Sequence, residues 1–363
     1  VMINSLLNWK RTIQVSWTFM LLGWATPVLG SSAHILIDVQ NNALVKKSQW
    51  QDFHRAESGM TLSGEDKIKL TSNASVTVYC SDRNKWTVNK PGTYTVSQGC
   101  PQGEKIVSLS QDFNNMTARN TVTKEKDLKK LPYLISPRNT YIFNDSLTIR
   151  WNEVSGATNY KVKVEDWERE TKDNQIIYDG ELESGEYYRM TVVADNGAAS
   201  KDEDDTRAIW FIVLEDEEAK TLREQVEAIE QDELSQDQKG LILAHFYSKN
   251  QLYFEAIQVL EELVKSGSQA LLVHKLLGDI YQQVGLSLMA KEIYQQGLGL
   301  NVEENNSEVK GMMEWSLGVM EYFLGNKDKA LKYLRKARVS YLVLGEYRRV
   351  KQLAEWINKV SGD

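Results

Sequence analysis

Ala256 and Ala290 lie 34 residues apart, each inside a stretch with helical periodicity, and Leu277-Gly278 precedes Ala290 as Leu317-Gly318 precedes Ala330. A period of that length marks helical hairpins that stack on one another, because a small residue at a fixed place lets the two helices of each pair approach closely. One hairpin cannot bury its apolar face alone. Stacking therefore commits the chain to an elongated core and leaves a grooved outer face of the kind that binds other proteins, so the spacing points to interaction rather than catalysis.

The period covers only the last third of 363 residues, a length that implies two or three cores. The first 30 residues differ from the rest: Lys10 and Arg11 precede the uncharged run TIQVSWTFMLLGWATPVLG, and small residues follow. That pattern reads as a secretory signal, cut ahead of Ser31 or His34, or as an uncleaved membrane anchor. Either places the remainder in the periplasm or cell envelope. Cys80 and Cys100 are the only cysteines, and in an oxidising compartment an isolated pair reads as a disulfide. Closing a loop of about twenty residues contributes about 3 kcal/mol in the entropic account. Two thiols fall short of the usual four metal ligands, so neither metal nor cofactor is expected.

Residues 31–127 carry short alternating stretches, HILIDVQ, KIKL, SVTVYC, KWTV and TYTVS, separated by Ser-Gly, Pro-Gly and Asn-rich turns. They read as strands of a small β domain. Gly59-Met60-Thr61-Leu62-Ser63-Gly64-Glu65-Asp66-Lys67-Ile68 resembles the turn-to-strand motif of FecR-type domains, with Glu65 inserted before the aspartate. Residues 133–214 supply SLTIRW, NYKVKVED, QIIYDG, EYYRMTVVAD and RAIWFIVL, six or seven strands at β-sandwich spacing. Trp151, followed by Val154-Ser155-Gly156 and Tyr160, resembles the tryptophan strand of fibronectin type III domains. Leu182, Gly185 and Tyr188 resemble the same family's tyrosine corner, which implies a phenol bonded to nearby backbone. The acidic run Asp202-Glu203-Asp204-Asp205 lacks the register of a helical calcium loop and reads first as a solvated tip, with calcium the alternative.

From Glu215 the period changes from 2 to 3.6: a linker helix over 215–234 presents Leu222, Val226 and Ile229, and Ser235-Gln238 offers a capping box. Residues 235–363 then resemble tetratricopeptide repeats. The resemblance rests on Leu277, Gly278, Tyr281, Gly285, Ala290 and Tyr294, on Leu243, Ala244, Tyr247 and Ala256 before them, and on Leu317, Gly318, Gly325, Ala330 and Ala337 after. Six extra residues around Asn301–Asn306 lengthen one interval to 40, and Tyr347, Val350, Leu353 and Trp356 suggest a capping helix. The expected architecture is multidomain: two all-β modules followed by an all-α repeat array.

In that family the groove is lined by first-helix positions that packing leaves free, here His245, Lys249, Lys275, Asp279, Gln282, Trp315 and Tyr322. Trp315 and Tyr322 suit an aromatic anchor for a partner peptide, Trp315 being equally readable as buried between repeats, and Lys249 and Lys275 suit an acidic partner. The four histidines are scattered, and no phosphate-cradling loop, Gly-x-Ser-x-Gly elbow or His-Glu-x-x-His motif accompanies them, which argues against an enzyme. No dense basic face for nucleic acid stands out. The leading expectation is an exported adaptor for an unidentified protein or peptide. The alternatives are an envelope sensor of FecR type and a cell-wall glycan binder acting through the β modules, with membrane contact only through an uncleaved N-terminus.

Overall fold

The computed structural model describes residues 34–101, 130–200, 209–300 and 307–362. The expected leader, the acidic run at 202–205 and the six-residue insertion at 301–306 lie outside the described residues.

The first region forms two facing four-stranded sheets. One runs β4 (Thr61–Leu62), β1 (His34–Gln40), β6 (Ser75–Tyr79), β7 (Lys85–Val88); the other runs β3 (His54–Arg55), β2 (Ala43–Lys46), β5 (Lys67–Leu70), β8 (Gly92–Thr95). Alternation decides which face is buried. In β5 Ile68 and Leu70 turn inward and the lysines outward, and in β6 Val76 and Val78 oppose them from the other sheet. Cys80 and Cys100 are bonded to each other, joining the end of β6 to the turn that follows β8.

The second region has eight strands among the described residues, where the sequence reading expected six or seven. A five-stranded sheet is ordered β10 (Thr140–Ile142), β16 (Ile209–Val213), β15 (Tyr187–Ala194), β12 (Tyr160–Val164), β13 (Trp167–Thr171). It faces β14 (Gln175–Tyr178), β11 (Leu147–Trp151) and β9 (Leu134–Ser136). Trp151 is 1% exposed and meets Tyr160 edge to face. Tyr188 stacks on Phe211, and its hydroxyl accepts the Glu183 N–H at 2.7 Å, the bond the corner motif implied.

Helix α1 (Asp216–Gln231) leads into α2 (Gln236–Lys249), whose first turn is closed by the Ser235–Gln238 capping box. The rest pair as α2 with α3 (Tyr253–Lys265), α4 (Leu271–Gln283) with α5 (Ser287–Leu298), and α6 (Ser307–Phe323) with α7 (Lys327–Val343), closed by α8 (Tyr347–Ser361). The small residues do what their spacing requires. Ala256, Ala290 and Ala330 are fully buried, and a Cβ on Gly278 would lie 2.3 Å from the Tyr294 ring. The turns within the pairs, and the one before α8, are three residues long with a left-handed centre, at Gln251, Gly285, Gly325 and Gly345.

Candidate functional site

The repeat pattern predicts a groove on the face built by the first helices, α2, α4 and α6, and the first β region lies against the first turns of those helices. At α2, the Gln238 side-chain amide donates to the Ile37 carbonyl. Gly59 packs so closely that a Cβ there would sit 3.0 Å from Leu272 on α4 and 3.6 Å from Leu241 on α2. At α6, Lys47 and Glu308 form a 2.6 Å ion pair with both side chains under one tenth exposed. Beyond it, a Cβ on Gly345 would lie 3.3 Å from that of Gln51. Apolar packing is continuous across the junction. Leu36, Val45 and Val78 share one buried cluster with Leu334, Tyr341 and Leu353, and Ile35, Ile37 and Tyr79 share another with Leu241, Leu276 and Ile280. Buried charge is tolerated only where it is paired, and the Lys47–Glu308 bond meets that condition.

The second region docks elsewhere, on the turns that end the first helices. The Tyr133 hydroxyl donates to the Gly285 carbonyl, Arg138 Nε to the Val284 carbonyl at 2.8 Å, and Tyr141 N–H to the Gln251 carbonyl at 3.1 Å. Arg150 pairs with Glu261 on α3 at 3.0 Å.

Against that background the first-helix residues take specific places. His245 has its Nε2 buried without a hydrogen-bond partner, and burial, reinforced by the Lys275 charge, pushes its imidazole down to about 4, so it is neutral. Lys249 is half-buried, with its ammonium pushed below the usual lysine range by desolvation. Lys275 is held by Asp279 at 2.6 Å. Asp279 also accepts the Tyr294 hydroxyl at 2.6 Å, and Gln282 accepts it at 3.1 Å, so both are tied to the second helix of their own pair. Trp315 meets Tyr341 of α7 edge to face at 6.0 Å, and Tyr322 meets Trp356 of the cap helix at the same distance. Lys275, Asp279 and Gln282 thus form one polar cluster, whereas Trp315 and Tyr322 join the packing of the last pair. Absent from the predicted groove positions are Gln238, which the sequence marks only as a capping residue, and Leu241, Leu272 and Glu308. The same register places all four on the groove face, Glu308 lying seven residues before Trp315, but none stands out by residue type.

Two further places bring reactive side chains together. His34, fully buried on β1, lies with Cys80 and Cys100 in a cluster whose potential ligand atoms are all within 4.8 Å. The Ser81 N–H donates to His34 Nδ1 at 3.0 Å, which places the ring proton on Nε2 and occupies the other lone pair. With the sulfurs bonded to each other, the trio has no free donor atom to offer a metal. A cavity of about 310 Å³ lies between the second β region and helices α1, α2 and α3, lined among others by Phe143, Arg223, Tyr247, Phe254 and Glu255. Arg223 partly serves it from within, bidentate on Asp145 at 3.0 Å and 4.5 Å above the Phe143 ring.

No family model matches the chain, and no curated protein matches it. Among solved structures, PcrH in complex with the chaperone binding region of PopD is similar over 36% of this chain and 97% of its own, at 16% identity and TM-score 0.31. MamA is similar over 40% of this chain and 90% of its own, at 20% identity and TM-score 0.26. A polysaccharide lyase matches over 91% of this chain and 70% of its own, at 8% identity and TM-score 0.22.

Proposed function

We propose that the chain is a non-catalytic scaffold for protein partners, in which the helical array is a rigid spine and the two β regions are fixed attachments to it. The observation that carries this reading is the continuity of packing between the first β region and the last helix pair. A module held by a buried ion pair and a shared apolar core is a structural brace, not a mobile lid. On this reading Trp315 and Tyr322 brace the end of the array, and partners use surfaces that the brace leaves open. The polar cluster of Lys275, Asp279 and Gln282, with His245 and Lys249 beside it, belongs to the same braced face.

We also infer that the protein works in an oxidising compartment of the cell envelope. The bonded Cys80–Cys100 pair supports this, as does the apolar run before residue 31. The division into modules at 31–127, 133–214 and 235–363, with a linker helix at 215–234, is part of the same proposal.

Crosslinking the full-length protein in the cells that make it, followed by mass spectrometry, tests the scaffold. The expected result is reproducible crosslinks to the same protein or proteins, retained in a Trp315→Ala/Tyr322→Ala variant to the extent that it remains folded. A chain that yields no crosslinks to other proteins above background would overturn the reading.

A further inference from the structure

Helix α7 buries one side and presents the other. Ala330, Leu334, Ala337 and Tyr341 are fully buried, and at 100° per residue they lie opposite Lys332, Arg335, Lys336, Val339, Leu342 and Val343, all exposed. This outward face changes character along the axis. Its earlier turns are basic and its last turn is apolar, with Val339, Leu342 and Val343 exposed by 59%, 44% and 62%, and Tyr347 at the start of α8 by 57%. Residues 327–351 carry nine basic and two acidic side chains in a chain of net charge −7. Among the described residues Lys332, Arg335 and Arg338 form no ion pair. Exposed apolar side chains clustered on one surface mark interaction sites when polar residues rim them.

We propose that the outward face of α7, with Tyr347 and Arg348 at its end, docks a helical segment of a partner protein that is acidic along one half and apolar along the other. The proposal rests on the scaffold reading above and specifies a partner's chemistry. Charge complementarity selects the acidic half: Lys332, Arg335 and Lys336 fall at i, i+3 and i+4, the spacing at which a facing helix presents carboxylates. The apolar half covers Val339, Leu342, Val343 and Tyr347, removing four exposed side chains from water. The lengthwise segregation also sets this face apart from a membrane-surface helix, whose apolar stripe runs along its whole length between charged flanks. A uniform polyanion such as a nucleic acid would meet the basic turns but leave the apolar turn uncovered.

Two synthetic 18-residue helical peptides of identical composition test this. One carries its glutamates in one half and leucines in the other; the second has the same residues interspersed. The full-length chain should bind the segregated peptide at least tenfold more tightly than the interspersed one. Lys332→Glu/Arg335→Glu should abolish the difference, and so should Val339→Ser/Val343→Ser, with the melting temperature of each variant unchanged because every altered side chain is exposed. Equal binding of the two peptides, or no binding of either, overturns the proposal. So would phosphatidylglycerol vesicles or duplex DNA binding as tightly as the segregated peptide. If the peptide test fails while crosslinks to partners persist in cells, only the α7 assignment falls; loss of the cellular crosslinks instead removes the scaffold.

Discussion

Gln251 sits at φ 59° in the turn between α2 and α3, where the other three turns carry Gly285, Gly325 and Gly345 at φ 87°, 81° and 66°. The left-handed region costs a non-glycine residue about 1–2 kcal/mol. Glycine's greater freedom in the unfolded chain returns part of that. Gln251→Gly should therefore raise stability by about 0.5–1 kcal/mol, read from denaturant unfolding. The Gln251 carbonyl accepts from the Tyr141 N–H and the Thr140 hydroxyl, and because Gln251 enters both bonds through its backbone they survive the change. Glu255 supplies a second residue-scale test. Burial pushes its carboxyl up to about 8, and Phe143 N–H donates to one oxygen while the other is unpartnered. A carboxyl whose pKa is higher folded than unfolded stabilises fully below its unfolded value, near 4.5, and loses that contribution as pH rises through about 8. His245 acts with the opposite sign, its contribution being present above 6.5 and lost as pH falls through about 4. Melting temperature should therefore decline between pH 6.5 and 8, above the range in which His245 opposes the fall and with Glu57 and Glu314, both pushed up to about 7 by burial, adding to it; Glu255→Gln should lessen that decline, and an unchanged slope would show that Glu255 contributes nothing to it.

At the scale of elements, the sequence made the helices legible because each second helix repeats a small residue against a large one, Ala290 near Leu277-Gly278 and Ala330 near Leu317-Gly318. Most strands were legible by alternation. β13 was not: Trp167-Glu168-Arg169-Glu170-Thr171 is an edge strand paired only to β12, and its exposed, charged sequence carries no apolar period. The docking of the first β region was illegible for a different reason. Lys47 and Glu308 are 261 residues apart, and nothing in the local pattern of either announces the other. His34 came to the cystine the same way, from a distant strand. The groove residues follow from helical register, and register alone does not say which positions the chain itself covers. The Lys47–Glu308 pair makes the docking measurable. Removing one partner strands a buried charge, so Lys47→Ala should cost about 3–5 kcal/mol. Lys47→Met/Glu308→Leu removes both charges and should recover most of that loss by the same measurement of unfolding.

Over the whole molecule, the described residues from 34 onward behave as one compact unit, with the β regions set against different surfaces of a single helical spine. One consequence is a division of labour among surfaces. The first-helix face supports the fold, the turns at Gln251 and Gly285 hold the second β region, and the outward side of α7 is open. The central claim is that the first β region docks on the first turns of α2, α4 and α6. Replacing Gly59 and Leu272 with cysteine tests it directly, because the Cβ positions lie 3.6 Å apart, within the range a disulfide spans. Under mild oxidation the Gly59→Cys/Leu272→Cys chain should close a second disulfide within one molecule, seen as a 59–272 crosslinked peptide by mass spectrometry. A folded chain in which both new thiols stay free, or bond only between molecules, would contradict the account.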